Sequence, residues 1–178
     1  GHHAERGQAM GFCFFNNVAV GIRHALDELG LERVALVDFD VHHGNGSEDI
    51  LADAHRVLMV STFQRRLYPF NGEAPRGANM CNMALDPYSD GAALQKAVTE
   101  GWLPRLRTFA PQMLFISAGF DAHREDDMSQ LGWRDADYGW VTQRLVEVAD
   151  EFAQGRIVSV LEGGYPLPAL ARSVEMHV

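Results

Sequence analysis

Arg33-Val34-Ala35-Leu36-Val37-Asp38-Phe39-Asp40-Val41-His42-His43-Gly44-Asn45-Gly46 is the stretch on which the reading of this chain turns. Its first half, Arg33 to Phe39, is a short and nearly unbroken apolar run. That is the pattern of a strand covered on both faces, not of one that alternates between core and water. Its second half turns polar and closes in glycines, so acids and imidazoles stand where the strand stops. In open parallel sheets ligands bind beyond the carboxyl ends of the strands, and that is where chemistry is expected here.

Working outward, apolar runs alternate with segments of helical period. Phe14 to Leu29 reads as a helix with Val18, Ile22, Ala25, Leu26 and Leu29 on one face and Gly30 as its stop. Ser47 is placed to cap a short helix through Ala52. Val57 to Ser61 reads as a second strand, and Thr62 to Pro87, which carries Gly and Pro, as a long loop. Asp90 caps a helix with Leu94, Val98 and Trp102 on a common face, and Pro104 kinks or restarts it. Gln112 to Ala118 reads as a third strand, Asp135 to Phe152 as a helix, Ile157 to Leu161 as a fourth strand, and a last helix begins near Pro168. Strands separated by helices imply α/β architecture: a parallel sheet with helices on both faces, in three layers, within a single domain.

The 178 residues are 47% hydrophobic, enough for one core, and carry a net charge of −9. An acidic chain has no general attraction for nucleic acid or anionic lipid, whereas a lysine-rich tail or a polyamine is drawn to it. The two cysteines, Cys13 and Cys81, argue against a disulfide scaffold, and Cys13 in its apolar run reads as a buried free thiol. No apolar stretch reaches the ~20 residues of a membrane span, and no signal peptide is visible, so a cytoplasmic location is expected.

The other strand ends are also polar. The third runs into Gly119-Phe120-Asp121-Ala122-His123 and the fourth into Glu162-Gly163-Gly164-Tyr165; the second ends less tellingly in Ser61-Thr62. Extended residues at period two share one side, so Asp40 and His42 can face one ion, with Asp121 from another strand end as a third ligand. Two carboxylates and one imidazole leave an open position on Zn²⁺, the pattern of a catalytic site. The bland alternative is a solvated turn with a helix-capping Asp. Two carboxylates also cancel the charge of the zinc, which then acidifies its water less than a zinc held by imidazoles alone. A separate general base and an oxyanion donor are therefore expected. His2 and His3 are the base candidates, unless they are remnants of an engineered tag, with Asp38 and Asn45 available behind them. Tyr165, after a glycine pair, is the donor candidate, against the alternative of a loop tyrosine packed on the surface. Ser61 and Cys13 lack a motif for covalent catalysis.

Taken together, GHHAE, GFCFFNN, DFDVHHGNG, ISAGFDAH and LEGGY resemble the motifs of the histone deacetylase family, which includes acetylpolyamine amidohydrolases, in that family's order. The resemblance implies a parallel α/β fold related to arginase. It implies Asp40, His42 and Asp121 as zinc ligands, His3 as general base, His2 as its partner backed by Asp38, and Tyr165 as oxyanion donor. Gly11 and Phe12 match one wall of an acyl-lysine tunnel and Tyr68 the other; Met128 matches an aliphatic tunnel residue, and Gly164 belongs with the substrate-binding set. Asp38, Ser61 and Thr62, with the carbonyls of Asp40 and His42, match a monovalent-cation site usually filled by K⁺. Asn45 stands where one branch of the family has Asp, which resembles the class II and bacterial branch and implies a less basic His3. The family's domain begins well upstream of GHHA, so the chain reads as a partial, truncated domain with bare sheet edges.

The expected function is zinc-dependent hydrolysis of an N-acyl amide, on an acylated lysine peptide or an acetylpolyamine. Two rivals stand beside it: an inactive metal- or acyl-lysine-binding homologue, and an arginase-like ureohydrolase. The second wants a further carboxylate two residues past His42, where Gly44 stands. The ligand set also suits Fe²⁺ or Co²⁺, an oligomer is possible, and the choice of amide is left open.

Overall fold

A computed structural model of the chain describes residues 1–178. Strands β1 (Val34–Asp38), β2 (Val57–Gln64), β3 (Met80–Leu85), β4 (Met113–Ala118) and β5 (Ile157–Leu161) form one parallel sheet in the order β3-β2-β1-β4-β5. Helices α1 (Asn17–Asp27) and α2 (Asn45–Leu51) precede β1 and β2, α3 (Gly91–Ala97) and α4 (Leu103–Phe109) precede β4, α5 (Asp135–Phe152) precedes β5, and α6 (Leu167–His177) ends the chain.

The period of two within β1 creates the three layers. Val34 and Leu36 pack with Val18, Ile22 and Leu26 of α1 and Leu51 of α2. Ala35 and Val37 point the other way, into a larger core with Trp102, Leu106, Val141 and Leu145. Every residue of β1 is buried, as a central strand covered on both faces requires. The order places β1 and β4 side by side, with Asp38 in register with Ser117 on one side and with Ser61 of β2 on the other. The ends of β1, β2 and β4 therefore open into one crevice. β3 and β5 are the sheet edges; on β5, Val158 and Leu161 are exposed.

Several expectations need correction. The sheet has five strands, because the stretch Thr62 to Pro87 holds the last part of β2 and all of β3. β3 was hidden because Asn82 interrupts its apolar run and only Met80 on it is buried, as befits an edge strand. The first helix starts at Asn17, not Phe14, with the Asn16 side chain accepting from Ala19 N–H at 3.0 Å. Ser47 does not cap α2, which starts at Asn45 after Gly44; the Ser47 hydroxyl instead accepts from Asn16 Nδ2 at 3.1 Å. Pro104 does not restart a helix: α3, a π-helical segment Val98–Trp102 and α4 run on without a break, and the proline follows directly on the wider π turn. Cys13 is half-buried rather than buried, with its thiol donating to Gly11 O.

Candidate active site and metal centre

The segment Gly1–Ala4 lies against the start of α2. Ser47 N–H donates to His2 O at 3.1 Å, and Asn16 Nδ2 reaches Ala4 O at 3.3 Å. The contact is so close that a Cβ on Gly46 would stand 2.2 Å from Ala4 O. Both imidazoles of the segment are thereby buried at the carboxyl end of β1, with ring centroids 4.1 Å apart.

Asp40 and His42 follow β1, and Asp121 follows β4. One ligand atom from each lies within 4.8 Å of the others, and all three residues are buried. Backbone donors hold the carboxylates in place. His42 N–H and Gly163 N–H each reach a different oxygen of Asp40 at 2.8 Å, and Val41 N–H reaches Asp121 Oδ1 at 3.0 Å. The other Asp121 oxygen, Oδ2, is buried without a hydrogen bond although it stands 3.0 Å from His42 Nδ1. A buried carboxylate oxygen left in that state is costly. An ion bound by all three side chains relieves it, and two oxygens with one nitrogen suit zinc. The donor set therefore fits a divalent metal.

The electrostatics agree. Burial alone would lower the pKa of His42, but the Asp121 and Asp40 carboxylates, each with an oxygen 3.0 Å from its Nδ1, outweigh it and lift it to about 9. Burial, then the charge of Asp40, pushes Asp121 up to about 7. Asp40 stays below the usual carboxylate range, because the charges of His2 and His42 overcome its burial. The three groups thus hold a proton where a cation fits.

The two N-terminal imidazoles are driven apart. His2 Nδ1 is 2.8 Å from Asp38 Oδ2; burial opposes its charge, but Asp38 and Asp40 overcome it and raise the pKa to about 10. His3 is lowered to about 3 by burial and then by the positive charge of His2, against its hydrogen bond to Asn45. His3 Nδ1 lies 2.8 Å from Asn45 Oδ1, an acceptor, so Nδ1 carries the proton and Nε2 keeps its lone pair. The orientation of the Asn45 amide is set by its Nδ2, which donates to Glu5 Oε1 at 2.8 Å.

A cavity of about 450 Å³ opens over this centre. His2, His3, Asp40 and His42 form its floor; Gly11, Phe12, Tyr68, Met128 and Tyr165 form its walls. The Tyr68 ring stands edge-on to His3 at 5.1 Å between centroids, and Phe12 is 94% exposed at the mouth. Gly11 has φ 56°, and a Cβ there would meet the His3 ring at 2.4 Å, so the wall approaches His3 only because the side chain is missing. Tyr165 is half-exposed; burial, then the charges of Asp121, Asp40 and Asp126, raises its phenol to about 12. Gly163 rather than Gly164 lines the cavity, while Asp38, Asn45 and Asp121 lie beneath it. Ser61 and Thr62 are buried next to Asp38, and Thr62 Oγ1 has no hydrogen-bond partner.

Three carboxylates were not singled out from the sequence. Glu5 orients Asn45. Glu162 accepts from His2 N–H at 3.1 Å and from Ser117 Oγ at 3.1 Å. Asp126 accepts from the Tyr165 N–H at 2.9 Å. Glu5 and Glu162 lie inside the quoted motifs GHHAE and LEGGY, but their partners come from distant segments, and no spacing signals those.

The chain matches the family model for the histone deacetylase domain over residues 1–178. It is 42% identical over 177 residues to the uncharacterized protein slr0245 of Synechocystis, covering 98% of this chain and 57% of that protein. It is 38% identical over 173 residues to the histone deacetylase-like amidohydrolase of Pseudomonas aeruginosa, covering 93% of this chain and 45% of that one. Among solved structures, the acetylpolyamine aminohydrolase from Burkholderia pseudomallei superimposes with a TM-score of 0.87 at 33% identity, over 99% of this chain and 52% of that one. The chain thus spans about half the length of each of these three relatives. No helix is long and apolar enough to cross a membrane. With the strand order, the cluster of Asp40, His42 and Asp121 and a match to the domain model along the whole of this chain in agreement, the chain belongs to the histone deacetylase family.

Proposed function

We propose that this chain carries the catalytic centre of a zinc-dependent amidohydrolase that cleaves an N-acyl amide, on an acylated lysine side chain or an acetylated polyamine. The observation that carries the reading is the meeting of Asp40 and His42, at the floor of a cavity, with Asp121 just beneath it, all within 4.8 Å and with one carboxylate oxygen left unsatisfied. These three residues would hold the metal. When bound, the ion supplies Lewis acidity, polarising a carbonyl and lowering the pKa of water.

The remaining roles belong to the chain. His3, neutral because its pKa is near 3 and with Nε2 free, accepts a proton from the attacking water as the carbon–oxygen bond forms. The Tyr165 phenol, protonated because its pKa is raised to about 12, donates to the developing oxyanion. A protonated imidazole, His3 or His2, returns a proton to the amine nitrogen as the carbon–nitrogen bond breaks. The products are a short carboxylic acid and a free amine. His2, with Asp38 beside it, contributes a positive charge that keeps His3 unprotonated at rest. Gly11, Phe12, Tyr68 and Met128 supply apolar walls for a narrow alkyl chain, and the net charge of −9 favours a cationic substrate. Asp38, Ser61 and Thr62 form the proposed potassium site, supported by the unpartnered Thr62 hydroxyl.

A two-metal ureohydrolase is disfavoured by Gly44, where a Cβ would stand 2.3 Å from Asp38 Oδ2 and leave no room for another ligand. The test is an assay of the full-length protein on acetyl-lysine peptides and acetylated polyamines, with and without a chelator. Turnover abolished by chelation and restored by zinc is expected; turnover indifferent to metal removal refutes the mechanism.

A further inference from the structure

One buried carboxylate outside the proposed chemistry joins two walls of the cavity. Asp126 is only 5% exposed. Its Oδ1 accepts from Met128 N–H at 3.0 Å and its Oδ2 from Tyr165 N–H at 2.9 Å. Its own N–H donates to His123 O at 2.8 Å, closing the turn that follows Asp121. The same loop touches the Tyr165 segment once more, through Phe120 N–H to Gly163 O at 2.8 Å.

The segment between β5 and α6 has little rigidity of its own. Gly164 sits at φ 129°, a region open to glycine, and Pro166 has no N–H to donate. The Tyr165 N–H is therefore the donor that ties the phenol-bearing residue to the rest of the site. A buried carboxylate accepting two backbone N–H groups holds both through charge-assisted hydrogen bonds.

We propose that Asp126 is a positioning residue for Tyr165: it grips the Tyr165 and Met128 backbones with its two oxygens and so holds the phenol at the cavity wall. This rests on the reading of Tyr165 as the oxyanion donor. Asparagine at 126 has one acceptor oxygen and an amide nitrogen, so it keeps only one of the two backbone bonds while preserving size.

The experiment compares Asp126→Asn, Tyr165→Phe and the double variant in the full-length, zinc-loaded protein, with metal content and thermal midpoint measured alongside. Asp126→Asn is expected to lower kcat by about 10- to 100-fold with KM within about threefold, as for supporting groups that fix a reacting residue. In the Tyr165→Phe background the same change is expected to add almost nothing, because the hydroxyl it positions is gone. Losses that multiply, wild-type kcat in Asp126→Asn, or loss of the folded state each overturn the proposal. A second readout needs no turnover: with 3-fluorotyrosine incorporated, the fluorine resonance assigned to Tyr165 by its loss in Tyr165→Phe is expected to shift or broaden in Asp126→Asn. An active wild type with an unchanged resonance sinks the positioning role alone. A wild type inactive on every acyl amide sinks the hydrolase reading and the donor role with it.

Discussion

Replacing Tyr165 by Phe removes one hydroxyl from the cavity wall and little else. The residue is half-exposed, and its hydrogen bond to Asp126 uses the backbone N–H, which phenylalanine keeps. A surface change of that kind shifts stability by no more than about 0.5 kcal/mol. Metal content is expected to be unchanged, since Asp40, His42 and Asp121 are the residues that meet at the centre. The catalytic loss is a different matter. Removing one preorganised oxyanion donor costs about 10²- to 10³-fold in kcat, or roughly 2.7–4 kcal/mol of transition-state stabilisation. KM is expected to move little, because the bond strengthens only as the carbonyl oxygen gains charge. The pH dependence adds a sign. A phenol raised to about 12 keeps its proton, and so its donor role, well above its ordinary pKa of 10.0. The wild type is therefore expected to show no descending limb from Tyr165 up to pH about 10, where an unperturbed tyrosine would be half ionised. The assay is steady-state turnover of an acetylated substrate by the full-length protein from pH 6 to 10, with zinc measured on the same samples. Turnover of Tyr165→Phe within about threefold of wild type, at equal zinc content, would falsify the oxyanion assignment.

Metal uptake is expected to release protons: His42 at about 9 and Asp121 at about 7 carry protons in the metal-free protein and must shed them to bind. The raised pKa of His42 stabilises the metal-free fold below 6.5 and loses that contribution as pH rises through about 9, so zinc affinity runs the other way. Competition with a chelator should show affinity rising about tenfold per pH unit between 7 and 8.5, and a flat profile would contradict the proton count. Glu5→Gln weakens the hold on the Asn45 amide, and kcat is expected to drop by about tenfold with zinc retained; an unchanged kcat would show that Asn45 needs no orienting partner. Gly11→Ala places a Cβ 2.4 Å from the His3 ring at φ 56°, so it is expected to cost more than about 1 kcal/mol in chemical denaturation and to impair turnover; a neutral result would mean that the wall yields.

The sequence by itself determined the fold class and the place of the candidate site. Arg33 to Phe39 has no polar face to offer water, so it had to be a covered strand, and the acids and imidazoles after it had to sit at the strand's carboxyl end. The motif strings pointed to Asp40, His42 and Asp121, and these three meet. The errors fell where local signals are weak. β3, an edge strand with one buried residue, carries no strong pattern, and Ser47 looked like a cap because a serine before a helical run usually is one.

Only the tertiary structure decided which groups support which. Glu5 behind Asn45, Glu162 beneath His2 and Asp126 behind Tyr165 join residues far apart along the chain. The pairing of such side chains depends on the order of the strands and the docking of the N-terminal segment on α2. The split between His2 and His3 has the same origin. Two adjacent histidines have equal chemistry in the sequence, and they diverge because one is buried beside a carboxylate and the other beside an amide and its own charged neighbour.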